Sequence, residues 1–129
     1  MLKAATRNLS ELEPALQQAL YEIGREAAKI PGANRMLLYG SMAKGTNNEQ
    51  SDVDLAVFFK QNGMLLKEYR QLVKICRLYP WDIQIQAFCE EELIRPCGIV
   101  EEIVLYGVNV PIGMNMPTGA DTPTDSDTQ

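Results

Sequence analysis

A chain of 129 residues has room for one domain of ordinary size, and its 46% apolar and 22% charged residues are the balance of a globular protein. A formal net charge of −5 argues against a general nucleic-acid binder, which needs a basic surface to displace counterions. The chain contains no histidine, which excludes Ser-His-Asp and Cys-His catalysis and histidine-ligated zinc. Any acid–base chemistry must therefore use carboxylates, lysine, tyrosine or cysteine.

The cysteines and the N-terminal segment bear on the cellular compartment. The three cysteines, Cys76, Cys89 and Cys97, form no C-x-x-C pair. The N-terminal segment has no apolar stretch typical of a signal peptide, and no apolar run approaches the roughly 18 residues of a spanning helix. We therefore expect a soluble cytoplasmic protein with reduced thiols and no membrane partner.

The first predicted element is a long amphipathic helix. Apolar residues between Leu9 and Ile30 recur in steps of three and four, which is one stripe of an α-helix. Ser10 is a candidate N-cap, with Glu13 three residues on as in a capping box. The segment "PGAN" at 31–34 ends the helix.

Two buried strands follow, separated by a polar loop. The short apolar run "RMLLY" (35–39) predicts a strand that Gly40 closes. The segment "SMAKG" (41–45) predicts one helical turn with Ser41 as its N-cap. After the loop, "DVDLAVFF" (52–59) predicts the second strand.

The second half of the chain predicts one more helix and one more strand. Apolar residues at 65, 69, 72, 76 and 79 indicate an amphipathic helix, and "WDIQIQAF" (81–88) alternates as a strand does. The segment 89–110 is mixed and predicts helix in pieces, broken at Pro96 and Gly98. We place a single domain at 1–112 and a flexible acidic tail at 113–129, whose composition cannot bury enough surface to fold.

Three aspartates are predicted to share one face of the sheet. Asp52 and Asp54 are two residues apart on one strand, and Asp82 lies opposite the apolar face of the other. If the two strands are neighbours with their apolar faces on the helices, the three carboxylates meet. Each carboxylate pair at ~4 Å costs about 4 kcal/mol at an effective dielectric of about 20. A divalent cation such as Mg²⁺, which takes oxygen ligands, would relieve that repulsion.

A phosphate cradle is predicted beside these carboxylates. Gly40 allows a backbone to approach a phosphate closely, and a helix start presents N–H groups to an anion. The hydroxyl of Ser41 adds a donor, and Lys44 can reach toward the same anion. A cradle beside a metal site suits a nucleoside triphosphate whose phosphates bridge protein and metal.

Each of these signals alone also fits an ordinary protein. Asp-x-Asp occurs at strand edges, Gly-Ser occurs in turns, an isolated Lys44 would be solvated, and Asp82 would be a strand-entry carboxylate. The combination of these residues at this spacing is a much more specific signal for a nucleotide site than any one of them.

That combination resembles a known family. "GS" at 40–41, ten intervening residues and "DVD" at 52–54 match the Gly-Ser-x10-Asp-x-Asp motif of the DNA polymerase β-like nucleotidyltransferase superfamily. The small size resembles its minimal nucleotidyltransferase (MNT) branch. The resemblance covers roughly residues 10–112 and includes "EEIVLYG" (101–107), which is similar to the family's "EG-x-x-LY" ending.

The resemblance implies a fold, a site and a reaction, which is the transfer of an NMP, above all AMP from ATP, to a hydroxyl acceptor. The fold would be an α/β arrangement, a mixed β-sheet with helices on one face and a carboxylate-lined active site on the other. Asp52, Asp54 and Asp82 would be catalytic and metal-binding residues with two Mg²⁺ ions, and Gly40 and Ser41, with Lys44, would bind the triphosphate of ATP or another NTP.

The resemblance also implies a partner. Members of the MNT branch are often paired with a HEPN-domain toxin and act as its antitoxin, some by transferring AMP to a tyrosine of the toxin. We therefore expect a homo- or hetero-oligomer. Two alternatives are a non-catalytic antitoxin that only covers its partner, and a nucleotidyltransferase acting on a small molecule such as an aminoglycoside.

One departure from the family pattern concerns the cradle. The family often has "GSRARG" where this chain has "GSMAKG". Met42 replaces one basic residue and Lys44 conservatively replaces the other. We expect this change to weaken triphosphate binding rather than to abolish catalysis.

Overall fold

The computed structural model describes residues 8–48, 51–60 and 66–117. Within them lies a four-stranded mixed sheet in the order β3-β2-β1-β4, with β1 antiparallel to both β2 and β4, and β2 parallel to β3. The strands are β1 (Ala33–Tyr39), β2 (Val53–Phe59), β3 (Ile83–Cys89) and β4 (Val108–Val110). The predicted α/β fold with a mixed sheet is confirmed, and three strands lie within about two residues of their predicted bounds.

The helices are one turn or more in length and connect the strands. They are α1 (Pro14–Ala27), α2 (Ser41–Lys44), α3 (Leu66–Cys76) and α4 (Ile99–Tyr106), with 3₁₀ turns at Leu9–Glu11 and Glu90–Leu93. The mixed segment 89–110 is indeed broken before α4, where Gly98 is the N-cap. Its last residues form β4, which we did not predict because three residues are too few to show an alternation.

The start of α1 differs from the prediction. Its N-cap is Glu13, Pro14 is the first helical residue, and Ser10 lies in the preceding 3₁₀ turn. A proline suits the first helical position because its φ is already helical and its missing N–H would have no partner there. The predicted cap at Ser10 is therefore wrong, whereas the apolar stripe of α1 is confirmed as core.

The main core lies between one face of the sheet and helices α1 and α3. It includes alternate residues of β2 and β3 and the inner faces of both helices, among them Val53, Leu55, Val57, Ile83, Ile85, Leu16, Leu20, Ile23, Leu72 and Cys76. The thiols of all three cysteines are free, and burial raises the pKa of the Cys76 thiol to about 11.

A second, smaller apolar cluster lies on the opposite face of the sheet. Val100 and Ile103 of α4 pack on Tyr39, Ala56 and Phe58. The ring of Phe58 also stacks on that of Phe88, with centroids 5.3 Å apart. Helix α4 thus covers part of this face as far as Tyr39 at the end of β1, while Asp52 and Asp82 stay exposed.

The segment after β4 packs against α1. The Gly113 N–H donates to the Gly24 carbonyl at 3.1 Å, and a Cβ at Gly24 would lie 2.1 Å from the carbonyl oxygen of Pro111. Residues 118–129 of the predicted tail lie outside the described residues, and the domain boundary at 112 stays a prediction. None of the helices in the described ranges is long and apolar enough to cross a membrane.

Candidate active site

The predicted site residues lie at one end of the sheet. Because β1 is antiparallel to β2 and β3 is parallel to it, the C-terminal end of β1 lies beside the N-terminal ends of β2 and β3. Gly40 directly follows β1, Asp52 and Asp54 lie at the start of β2, and Asp82 directly precedes β3. The fold therefore brings together segments that are about 40 residues apart in sequence.

The strand pairing required for the aspartates to meet is present. Asp54 lies opposite Tyr39 on β1 and opposite Gln84 on β3. The Val53 N–H donates to the Asp82 carbonyl at 2.9 Å, which sets the start of β3 beside that of β2. Since side chains alternate along a strand, Asp52, Asp54 and Asp82 share the face opposite the main core.

The surroundings of Asp54 disfavour its charged form. Partial burial, followed by the negative charges of Asp52, Glu102 and Asp82, raises the pKa of the Asp54 carboxyl above its ordinary value. The side chains of Asp52 and Asp82 are exposed. The two ion pairs within the described residues, Lys29–Glu26 and Lys44–Glu102, leave all three aspartates out. The site therefore carries negative charge that a bound cation would neutralise.

The donors fit Mg²⁺ only in combination with substrate. No group of three Cys, Asp or Glu side chains in the described ranges is arranged to enclose a metal ion by itself. Mg²⁺, however, is usually held by one or two carboxylates together with water and substrate phosphates. Asp52 and Asp54 supply two hard oxygen donors on one face, and neighbouring negative charges add to the effect of burial in raising the pKa of Asp54. These residues fit such a site.

The turn after β1 is built around Gly40. Its φ of 76° and ψ of −158° are essentially restricted to glycine, and it is the N-cap of α2. The predicted N-cap role of Ser41 is therefore wrong, because Ser41 is already the first helical residue. Gly40 is also required for lack of space, since a Cβ at this position would lie 2.6 Å from Oδ2 of Asp54. The turn and the carboxylate are thus in direct contact.

Lys44 has partners that we did not predict. Its Nζ lies 3.7 Å from Oε2 of Glu102 and 4.6 Å from the ring centroid of Tyr106. Both partners are on α4, four residues apart and hence on one helix face. The paired side chains are 35% and 34% exposed, so the ion pair is worth at most about 1 kcal/mol and is open to exchange. In the sequence, the segment "EEIVLYG" could have indicated these two residues, because its helical spacing puts Glu102 and Tyr106 on one face.

Met42 contributes packing. Its side chain is 6% exposed and belongs to the main core. The position at which the family pattern often has a basic residue is therefore occupied here by a core residue of α2.

Comparison with known proteins identifies the family. The chain matches the family described as "Polymerase beta, Nucleotidyltransferase" over residues 22–107, which is more than half of its length and contains every predicted site residue. This chain belongs to that nucleotidyltransferase family. It is therefore assigned as a transferase.

Two individual proteins are similar to this chain. A "Putative protein adenylyltransferase" from Methanocaldococcus jannaschii is 34% identical over 79 residues, which is 60% of this chain and 78% of the relative. The crystal structure of a "putative nucleotidyltransferase" from Sulfolobus solfataricus aligns over 70% of this chain and 81% of that one, with 20% identity and a TM-score of 0.40.

Proposed function

We propose that this chain is a Mg²⁺-dependent adenylyltransferase that moves AMP from ATP to a hydroxyl group on a protein. The observation that carries the proposal is the contact between the Gly40 turn and the Asp54 carboxylate. It places a turn suited to phosphate beside carboxylates suited to metal, at the sheet end that also holds Asp52 and Asp82. A nucleotide with its metal needs both features together.

The reaction forms one bond and breaks another. The acceptor hydroxyl oxygen attacks the α-phosphorus of ATP, a new O–P bond forms, the bond from that phosphorus to the bridging oxygen breaks, and pyrophosphate leaves. Gly40 and Ser41 hold the leaving phosphates. Asp82 accepts the proton of the attacking hydroxyl as general base. Mg²⁺ held by Asp52 and Asp54 would supply charge neutralisation for the phosphates and a lower pKa for the hydroxyl.

A protein acceptor is supported by two observations outside the geometry. The relative from Methanocaldococcus jannaschii carries the name of a protein adenylyltransferase. The small size of the chain resembles the MNT branch, for which a tyrosine of a HEPN-domain toxin is the expected acceptor. We therefore propose that the chain acts as the antitoxin of such a partner and forms a hetero-oligomer with it.

The test of the proposal is a label-transfer assay. The purified protein is incubated with ATP, GTP, CTP or UTP carrying ³²P at the α-phosphate, with Mg²⁺ and a lysate of its own host. The proposal expects one labelled protein with ATP, lost on addition of EDTA and lost in the Asp52→Asn/Asp54→Asn variant. Label that persists in that variant, or no label with any nucleotide, would contradict it.

A second assay separates catalysis from simple binding. A toxic HEPN-domain protein from the same host is co-expressed with wild-type protein or with Asp52→Asn. We expect the wild type to restore growth and Asp52→Asn to fail to do so. Equal rescue by both would mean that the protein neutralises its partner by covering it.

A further inference from the structure

A cleft runs along the outer edge of β3 and begins at the candidate active site. Its volume is about 480 Å³. One wall is the C-terminal half of α3, with Val73 and Cys76, together with Arg77 directly after the helix, and the other is residues 81–86. Asp82 belongs both to the cleft and to the aspartate group, so the cleft is continuous with the reaction centre.

The strand that lines this cleft has a free edge. The Asp82 carbonyl points toward β2, where it accepts the Val53 N–H, so the main-chain groups of Ile83, Ile85 and Ala87 point the other way. The Tyr69 hydroxyl donates to the Ile85 carbonyl at 2.6 Å from that outer side, in agreement with this alternation. Within the described part of the chain no further strand pairs with β3 there. Apart from the Ile85 carbonyl, which accepts from Tyr69, the edge therefore offers main-chain groups to an incoming strand.

The order of the site residues across the sheet end indicates the side from which the acceptor hydroxyl approaches. The turn at Gly40 and Ser41 follows β1, Asp54 lies on the neighbouring β2, and Asp82 and the cleft lie on β3. Displacement at phosphorus is in line, with the attacking and leaving oxygens on opposite sides. If the leaving pyrophosphate is held on the β1 side, the attacking hydroxyl must come from the β3 side.

We propose that the cleft along β3 binds the acceptor as an extended polypeptide segment, which pairs with the free edge and presents its side-chain hydroxyl to Asp82. This inference rests on the proposed adenylyl transfer. The reaction is the one described above, with the proton passing to Asp82 and pyrophosphate leaving on the side of Gly40.

The shape and chemistry of the cleft favour a polypeptide over a second small molecule. The stretch from Asp82 to Gln86 is ~13 Å long at the usual rise per residue, which matches about four residues of an added strand. A strand paired with the edge uses the outward main-chain groups of Ile83 and the outward N–H of Ile85 for affinity, as in other peptide-binding sheets. Trp81 and Arg77 at the rim would contact side chains of the segment and give selectivity.

The test uses an array of immobilised tyrosine-centred heptapeptides, labelled with α-³²P-ATP and Mg²⁺. The best-labelled peptide is then used in solution with three variants. Arg77→Glu reverses the charge at the cleft, Ala87→Pro removes an outward N–H from the edge, and Arg70→Glu makes the matched change on α3 outside the cleft lining. We expect the first two to raise the KM for the peptide at least tenfold, and Arg70→Glu to leave it unchanged.

Two readouts separate this inference from the proposed function. Binding of Mg·ATP, measured without peptide, reports on the nucleotide site alone, and amide hydrogen exchange of residues 83–87 reports on the edge. The inference expects the peptide to slow that exchange. An unchanged KM in both Arg77→Glu, at the cleft, and Ala87→Pro, on the strand edge next to it, overturns the inference while the transferase stands. Labelling of a lysate protein with no labelled peptide does the same. If the wild type neither binds Mg·ATP nor labels any protein, both this inference and the proposed function are wrong.

Discussion

Gly40 and Asp54 are in contact across the gap between two neighbouring strands. A Cβ on Gly40 would lie 2.6 Å from Oδ2 of Asp54, closer than side-chain carbons approach other atoms. The glycine is thus required twice, by its positive φ and by the carboxylate beside it. This contact joins the two halves of the motif, since it sets the turn that would hold phosphate directly against the residue that would hold metal.

Replacing Gly40 by alanine should therefore damage the site more than the fold. Gly98 is a matched control, because its φ is also positive, at 58°, but nothing lies within 4 Å of its Cβ position. Both substitutions should cost about 1–3 kcal/mol of backbone strain in thermal unfolding. Only Gly40→Ala should displace Asp54, and we expect its transfer rate to fall roughly 10²-fold. Equal activity of the two variants would contradict the role of this contact.

The stability of the protein should depend on the ionisation of Asp54. Burial and neighbouring negative charges raise its pKa in the folded state above the ordinary value of 3.8. The favourable contribution of its neutral form is full below pH 3.8 and is lost as pH rises through the raised pKa. In metal-free buffer, Asp54→Asn should thus melt a few degrees above the wild type at pH 7 and converge with it in acid. A wild type that is the more stable at pH 7 would show that the carboxylate is already compensated.

The ion pair between Lys44 and Glu102 should compete with the nucleotide. Glu102→Gln frees the ammonium group and removes a negative charge near the phosphates, so the affinity for Mg·ATP should rise by about two- to fivefold, the range of an exposed pair. The control is Glu101→Gln, an exposed neighbour on the same helix. Titration with a fluorescent ATP analogue measures the nucleotide affinity of both variants and of the wild type. A weaker affinity in Glu102→Gln would mean that Glu102 helps to hold the substrate instead.

The C-terminal residues should be dispensable for transfer. Residues 118–129 contain no aromatic or branched aliphatic side chain. Ending the chain after Pro117 keeps the hydrogen bond from Gly113 to Gly24. We expect unchanged label transfer and an unchanged melting temperature, and a loss of transfer would show that the tail takes part in binding.

The sequence was most informative where a short-range pattern determined the result. Strict alternation in 81–88, together with the two-residue spacing of Asp52 and Asp54, predicted that Asp82 shares their face of the sheet, because a shift by one residue would bury Asp82. The apolar stripe of α1 was equally clear. The separation of Gly40-Ser41 from Asp52 then placed the cradle and the carboxylates at one sheet end.

What could not be predicted depends on contacts between distant segments or on backbone angles. Lys44 meets Glu102, 58 residues further along, only because α4 packs on the second face of the sheet. The cap of α2 is Gly40 rather than Ser41 because the turn needs a positive φ, which a pattern of residue types does not reveal. The edge cleft needs the strand order, since only the order shows that β3 is terminal.

The central claim is that the carboxylates at this sheet end bind a nucleotide through a metal. The most direct test is isothermal titration of the wild type and of Asp52→Asn/Asp54→Asn with α,β-methylene-ATP, which binds but cannot be cleaved, with Mg²⁺ and with EDTA. We expect one nucleotide-binding site in the wild type that requires Mg²⁺. The variant, shown to be folded, should have lost that site. Binding of equal strength in EDTA, or in the variant, would contradict it.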